Sequence, residues 1–179
     1  MKKVLLILAG VIAAAVVVIL IAASTRPDSF QVQRAAVIQA PPEKIFPLIE
    51  DFHAWGGWSS WEKKDPAMKR SFSGPGTGKG AIYAWEGNSE VGQGSMEIVE
   101  DTPPSKLVLN LDFVKPFEGH NVVTFTLAPQ GEATNVTWTM QGPSKFITKV
   151  IGLFCDMDAV IGKEFETGLA NLKALAEKP

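Results

Sequence analysis

Residues Ala40 to Trp61 read Ala-Pro-Pro-Glu-Lys-Ile-Phe-Pro-Leu-Ile-Glu-Asp-Phe-His-Ala-Trp-Gly-Gly-Trp-Ser-Ser-Trp. Pro41 and Pro42 suit the opening of a helix, where the missing proline N–H needs no partner. Glu43 places a carboxylate near the positive end of that helix. Ile45, Phe46, Leu48, Ile49 and Phe52 follow at helical spacing and give it one apolar face. Trp55, Trp58 and Trp61 come next, around the Gly56-Gly57 break. A strand precedes this stretch, and strands and a long helical pattern follow it. That order predicts an α+β chain in which a curved antiparallel sheet grips a C-terminal helix.

Working back toward the N-terminus, Phe30 to Ile38 alternates Phe30, Val32, Ala36 and Ile38 against Gln31 and Gln33, with Arg34 out of pattern. This is the first strand. Pro27 marks Thr25 to Ser29 as a non-helical tether. Val4 to Ala23 is a run of twenty residues without a charge. At ~1.5 Å per residue it spans ~30 Å, the thickness of a bilayer's hydrocarbon layer. Lys2 and Lys3 precede it, so the positive-inside rule leaves the N-terminus in the cytoplasm and exports the rest as a single-pass protein. A cleaved signal peptide is the rival reading, but its apolar core usually runs only ~7–15 residues. The expected organisation is an anchor and tether over residues 1–26 and one ligand-binding domain over residues 27–179.

Working forward, Met68 to Phe72, Ala81 to Glu86, Glu90 to Glu100, Lys106 to Lys115, His120 to Ala128 and Thr134 to Gln141 read as strands. Short turns separate them, at Gly87-Asn88, Thr102-Pro-Pro-Ser105 and Pro129-Gln-Gly-Glu132 among others. Strands without intervening helices imply an antiparallel meander with one apolar face. From Ser144, a candidate cap, Ile147, Ile151, Phe154, Met157, Ile161, Phe165, Leu169, Leu172 and Leu175 recur every three or four residues. They predict a long covering helix, bent near Cys155-Asp156.

Charge and motifs narrow the chemistry. Of 17 basic residues, three lie in the first 26, which hold no acid; residues 27–179 carry 14 basic against 19 acidic residues, a net of −5. That argues against nucleic-acid binding and against adsorption to anionic lipid, both of which need clustered Lys and Arg. Cys155 is the only cysteine and His53 and His120 the only histidines, so no zinc-type spacing exists and no metal or other cofactor is expected. Gly74 to Gly80 is glycine-rich but lacks the order of a phosphate loop and precedes a strand. No nucleophile elbow and no catalytic set stand out. The residues expected to line an apolar cavity are Trp55, Trp58, Trp61, Tyr83, Trp85, Leu109, Phe113, His120, Phe125, Trp138, Phe154, Met157 and Ile161. Tyr83 shares parity with Ala81 and Trp85, which makes it the best polar group for the interior. The Trp55–Trp61 cluster is expected at the cavity mouth.

On Ala40-Pro-Pro-Glu-Lys-Ile-Phe, Trp55 to Trp61, Gly80-Ala-Ile-Tyr-Ala-Trp-Glu-Gly-Asn88, Thr134-Asn-Val-Thr-Trp138 and Phe165-Glu-Thr-Gly-Leu-Ala-Asn-Leu-Lys173, the chain resembles the SRPBCC superfamily. These are the START-like, helix-grip proteins labelled polyketide cyclase/dehydrase and lipid transport. The resemblance covers about Phe30 to Lys178. It implies a helix-grip fold with an apolar cavity between sheet and final helix. It supplies no catalytic residues, since the superfamily holds carriers, cyclases, oxygenase subunits and co-chaperones. A hydrophobic small molecule is therefore the expected partner, with a positioning enzyme of cyclase type and a protein-interaction module as alternatives.

Overall fold

The computed structural model describes residues 2–178. A first helix, α1 (Lys2–Ser24), is long and apolar enough to cross a membrane. It is followed by β1 (Ser29–Ile38), α2 (Pro42–Glu50) and two short 3-10 turns, Phe52–Gly57 and Trp61–Lys63. Six strands come next: β2 (Lys69–Ser73), β3 (Ile82–Glu86), β4 (Gln93–Thr102), β5 (Lys106–Lys115), β6 (Gly119–Gln130) and β7 (Ala133–Pro143). Two helices, α3 (Phe146–Ile151) and α4 (Met157–Ala176), close the chain.

The seven strands form one antiparallel sheet in the order β1-β7-β6-β5-β4-β3-β2. The meander puts each strand beside its chain neighbour, and the first strand closes against the last. Alternation decides the faces. On β5, β6 and β7 the buried residues are Leu107, Leu109 and Leu111, then Val123, Phe125 and Leu127, then Val136, Trp138 and Met140. Phe165, Leu169 and Leu172 of α4 meet this face, and Ile45, Phe46 and Ile49 of α2 close one end of it. This is the helix-grip arrangement that the strand pattern and the helical run predict.

Arg34, which breaks the alternation of β1, points to the helix side and is used there. Its Nη2 lies 2.9 Å from Asp158 Oδ2 and its Nε 2.8 Å from Glu166 Oε1, both on α4. These two acids push the guanidinium further up from its already high pKa. Gly162 lies between them, and a Cβ there would fall 1.9 Å from Arg34 Nη2. The glycine is therefore what lets the guanidinium cross the helix.

Three local expectations need correction. The final helix is broken in two at residues 152–156, and Asp156 caps α4 by accepting from the Ala159 N–H at 3.0 Å. Ser144 caps nothing: its N–H donates to the Asp28 carbonyl at 2.7 Å, and α3 begins after Lys145 without a side-chain cap. The turn after β3 is a loop over residues 87–92 rather than a two-residue hairpin. Gly92 closes it at φ 65°, where a Cβ would strike the Lys115 carbonyl oxygen at 2.3 Å.

Candidate functional site

The segment joining α2 to β2 decides what the core leaves open. Asp51 accepts from the His53 N–H at 2.8 Å and so starts the first 3-10 turn. The indole N–H of Trp55 donates to the Ile49 carbonyl at 2.9 Å, and that of Trp58 to the Leu48 carbonyl at 2.8 Å. Both carbonyls belong to the last turn of α2, where the helix leaves them unpaired. From α4, Asn171 Nδ2 donates to the Trp58 carbonyl at 3.0 Å. In return the Ser60 hydroxyl donates to the Glu164 carbonyl at 3.1 Å. Trp55 and Trp58 are thus pinned inward and buried, rather than forming a lid.

They meet the rings of the sheet. Trp58 stands edge-on to Trp138 at 5.5 Å, Phe125 lies 4.9 Å from Trp138, and Trp138 stacks on Phe165 of α4 at 4.0 Å and 9°. The space beneath the covering helix, expected as a hollow, is occupied by these rings. Alternation tells which face is apolar, but whether opposing layers interdigitate depends on side-chain volumes at the two faces. The indole N–H of Trp138 is buried in this stack without an acceptor among the described residues.

A cleft remains beside the stack, between the first 3-10 turn and β2. It is a hollow of about 120 Å³ lined by Phe52, His53, Phe72, Ala81 and Ile82 with the glycine-rich turn 74–76. That is below the ~300–1,000 Å³ of most small-molecule pockets. A ladder of rings leads inward from its mouth. His53 stacks on Phe72 at 4.1 Å, Phe72 on Tyr83 at 5.2 Å and Tyr83 on Trp85 at 6.0 Å; Trp85 meets the edge of Phe113 at 5.8 Å. Cross-strand register places Phe72 opposite Tyr83, and β2 is exposed along all five of its residues.

One polar cluster faces this ladder. The Tyr83 hydroxyl donates to Glu62 Oε1 at 2.5 Å, and Arg70 Nε donates to Glu62 Oε2 at 2.7 Å. The Glu62 side chain is only 10% exposed, so Arg70 supplies the opposing charge that such burial demands. Burial first, and the Glu62 carboxyl second, push the Tyr83 phenol well above its usual pKa. Tyr83 is therefore an O–H donor at neutral pH and not a base, and its hydrogen bond is given to Glu62.

A wider, open hollow of about 480 Å³ lies on the outer face of the sheet, where Phe30, Gln31, His120, Val122, Gln141 and Pro143 meet. His120 shares the outward parity of Val122 and pairs with Asp112, Nδ1 to Oδ1, at 2.7 Å.

The residues expected at a ligand site thus fall into separate groups. Trp55, Trp58, Leu109, Phe125 and Trp138 form the filled core, with Ile161 packed against it. Tyr83, Trp85 and Phe113 belong to the ring ladder. Trp61 is partly exposed beneath the Lys64 ammonium, 5.4 Å from its ring. His120 is on the outer face, and Phe154 and Met157 are exposed at the joint between α3 and α4. Sequence reasoning missed Phe52, His53, Glu62, Arg70 and Phe72. Phe72 could have been found as the one ring on a short strand facing Tyr83, whereas Glu62 and Arg70 carry no local pattern. Among the described residues no group of three or more His, Cys, Asp or Glu side chains could hold a metal.

Comparison with known proteins places this geometry. The profile of the family described as "Polyketide cyclase / dehydrase and lipid transport" matches residues 29–177. No curated protein matches the sequence. Among solved structures, protein CV1439 from Chromobacterium violaceum is similar with a TM-score of 0.60 at 17% identity, covering 86% of this chain and 100% of that one. The Aha1 dimer from Colwellia psychrerythraea has a TM-score of 0.59 at 16% identity, covering 83% and 96%. DynU16, from the dynemicin biosynthetic locus, has a TM-score of 0.58 at 18% identity, covering 86% of this chain and 48% of that one. At these identities the likeness is one of fold.

Proposed function

This chain belongs to the polyketide cyclase / dehydrase and lipid transport family, and from that premise we propose that it is a membrane-anchored domain that binds or carries a hydrophobic small molecule of lipid or polyketide type. The observation that carries the reading is the ring ladder. It begins at exposed rings, His53 and Phe72, and passes the buried phenol of Tyr83 on its way to Trp85. A mouth of exposed apolar rings leading to a single hydrogen-bonding cluster is what an apolar molecule with one polar end requires. Tyr83 then meets the polar end, and Phe52, Phe72 and Trp85 meet the apolar body. Because the cleft is small, the ligand must lift β2 and the turn 74–80 away from the 3-10 segment. α1 holds the domain at the bilayer from which such a ligand comes, with Lys2 and Lys3 on the cytoplasmic side.

The test is organic extraction of the purified full-length chain followed by mass spectrometry, alongside hydrogen exchange with and without the extracted compound. The expected result is one class of apolar compound, which slows exchange in β2 and β3 when returned. An extract without such a compound, or exchange slowed only elsewhere, overturns the reading.

The Tyr83–Glu62–Arg70 cluster also favours a second reading, a cyclase or dehydratase that works by positioning its substrate against an O–H donor. Turnover of a polyketide-like substrate that falls with Tyr83→Phe, while binding persists, would select it over simple carriage.

A further inference from the structure

α3 is turned inside out. Its lysine, Lys149, is only 9% exposed and its ammonium pairs with Asp28 of the tether. Its large apolar residues are left exposed: Phe146 is 50% exposed, Ile147 49% and Ile151 36%. Past the helix Phe154 is 74% exposed, and Phe117 in the β5–β6 turn is 61% exposed. That turn is tied to the start of α3, because Lys145 Nζ donates to the Glu118 carbonyl at 2.9 Å. Large exposed apolar residues gathered at one end of a domain mark a contact surface.

Its place in the fold identifies what it contacts. α1 packs on α3, so the patch lies beside the end of the apolar helix. Only Thr25 to Asp28 separate α1 from β1. Four residues reach about 14 Å at most, even fully extended. The tether therefore keeps the start of β1, and with it Pro143 just before α3, close to the bilayer that holds α1. Rings are favoured at the level of lipid headgroups, and a helix with one apolar face lies flat there.

We propose that α3, the α3–α4 joint and the β5–β6 turn form a second membrane contact, which seats the domain flat on the lipid surface. The proposal rests on α1 being retained as an anchor. The net charge of −5 beyond residue 26 means that this contact works by burying rings, not by attracting anionic lipid. It is therefore insensitive to salt, and it forms on uncharged phosphatidylcholine.

Cys155 makes the test direct: it is the only cysteine, is exposed, and adjoins Phe154. The full-length chain, labelled there with an environment-sensitive dye, is reconstituted into phosphatidylcholine vesicles and floated. The expected result is several-fold quenching by lipids bearing a nitroxide near the headgroup, with protection from aqueous iodide at low and high salt. A dye at Glu132→Cys in a Cys155→Ser background, at the far turn of the sheet, should show the reverse. Phe117→Ser with Phe154→Ser should expose the Cys155 dye to iodide without changing far-ultraviolet dichroism. Co-flotation with an iodide-accessible dye overturns the contact and leaves the anchor standing. Failure to float overturns both. Protection that depends on protein concentration and brings no lipid quenching assigns the patch to a second copy of the chain and overturns the proposal.

Discussion

Strands β1 and β2 are the two edges of one sheet, and the molecule treats them oppositely. An edge strand offers unpaired backbone groups and must be covered or made unattractive. β1 is covered by α4: Arg34 grips Asp158 and Glu166, Lys173 Nζ donates to the Val37 carbonyl at 2.7 Å, and Glu177 Oε1 accepts from the Gln39 N–H at 2.6 Å. β2 is half as long, exposed on both faces and paired only with β3. Bulky rings lie on both sides; under α4 Trp138 and Phe165 are buried, whereas on β2 Phe72 is 40% exposed. The difference teaches where this fold can open. The side under the helix is locked by interdigitated rings and ion pairs, and the side away from it is closed by the stack of His53, Phe72 and Tyr83 and by the single Arg70–Glu62 pair.

The contrast can be broken most severely on the closed side. Phe165→Ala removes the ring stacked on Trp138 and should cost about 3–5 kcal/mol. Thermal unfolding should then begin roughly 10 °C lower or more. A fall of only a degree or two would mean that α4 is loosely held and that the two sides do not differ. Gly168→Val tests the same packing from the helix. A Cβ at Gly168 falls 2.9 Å from the Trp138 ring, so the larger side chain should cost about 1–3 kcal/mol through overpacking. Chemical denaturation reads both variants, and unchanged midpoints would show that the rings have room to move.

On the open side the expected effects on stability are small. Phe72→Ala removes a ring that is 40% exposed and should cost less than about 1 kcal/mol. Its effect should appear instead in ligand capture, measured by the yield of co-purified apolar compound, which should fall several-fold. Equal yields from the variant would place the ligand elsewhere. The smallest effect concerns pH. Beside Gly78, in the loop joining β2 to β3, the Glu50 and Asp101 carboxyls face each other. Burial first and Asp101 second push the Glu50 carboxyl above its usual pKa. A group that holds its proton more tightly when folded stabilises the fold at low pH, and that contribution is lost as pH rises through the folded-state pKa. Melting curves taken upward from the ordinary carboxyl range should therefore show a slight loss of stability in the native chain. In Glu50→Gln the loss should vanish, and curves that slope identically would remove the pair from the account.

The element order was legible along the chain because periodicity is local. Alternation at Leu107, Leu109 and Leu111 and the three-to-four spacing from Phe165 to Leu172 each report a buried face without reference to any partner. The Pro41-Pro42 start and the apolar run to Ala23 are local in the same sense. Arg34 shows the limit: it was visible only as an irregularity in a strand, because its partners lie more than 120 residues away. The break at residues 152–156 was half visible, in the capping chemistry of Asp156 but not in the apolar spacing, which runs through it.

The candidate site was less legible for the same reason. Tyr83 could be picked by parity as the polar group facing inward. Glu62 and Arg70, which complete its cluster, come from a 3-10 turn and an edge strand with no period to read. By itself, the amino-acid order determined an apolar N-terminal helix, a seven-strand antiparallel sheet with one apolar face, and a helical cover. Those follow from backbone geometry and the segregation of apolar side chains, which act over a few residues. Tertiary structure alone decided that the space under the cover is filled, that the cleft opens at β2, and that α3 leaves Phe146 and its two isoleucines exposed. Each of these depends on how volumes and charges from distant segments meet, and no local spacing encodes that.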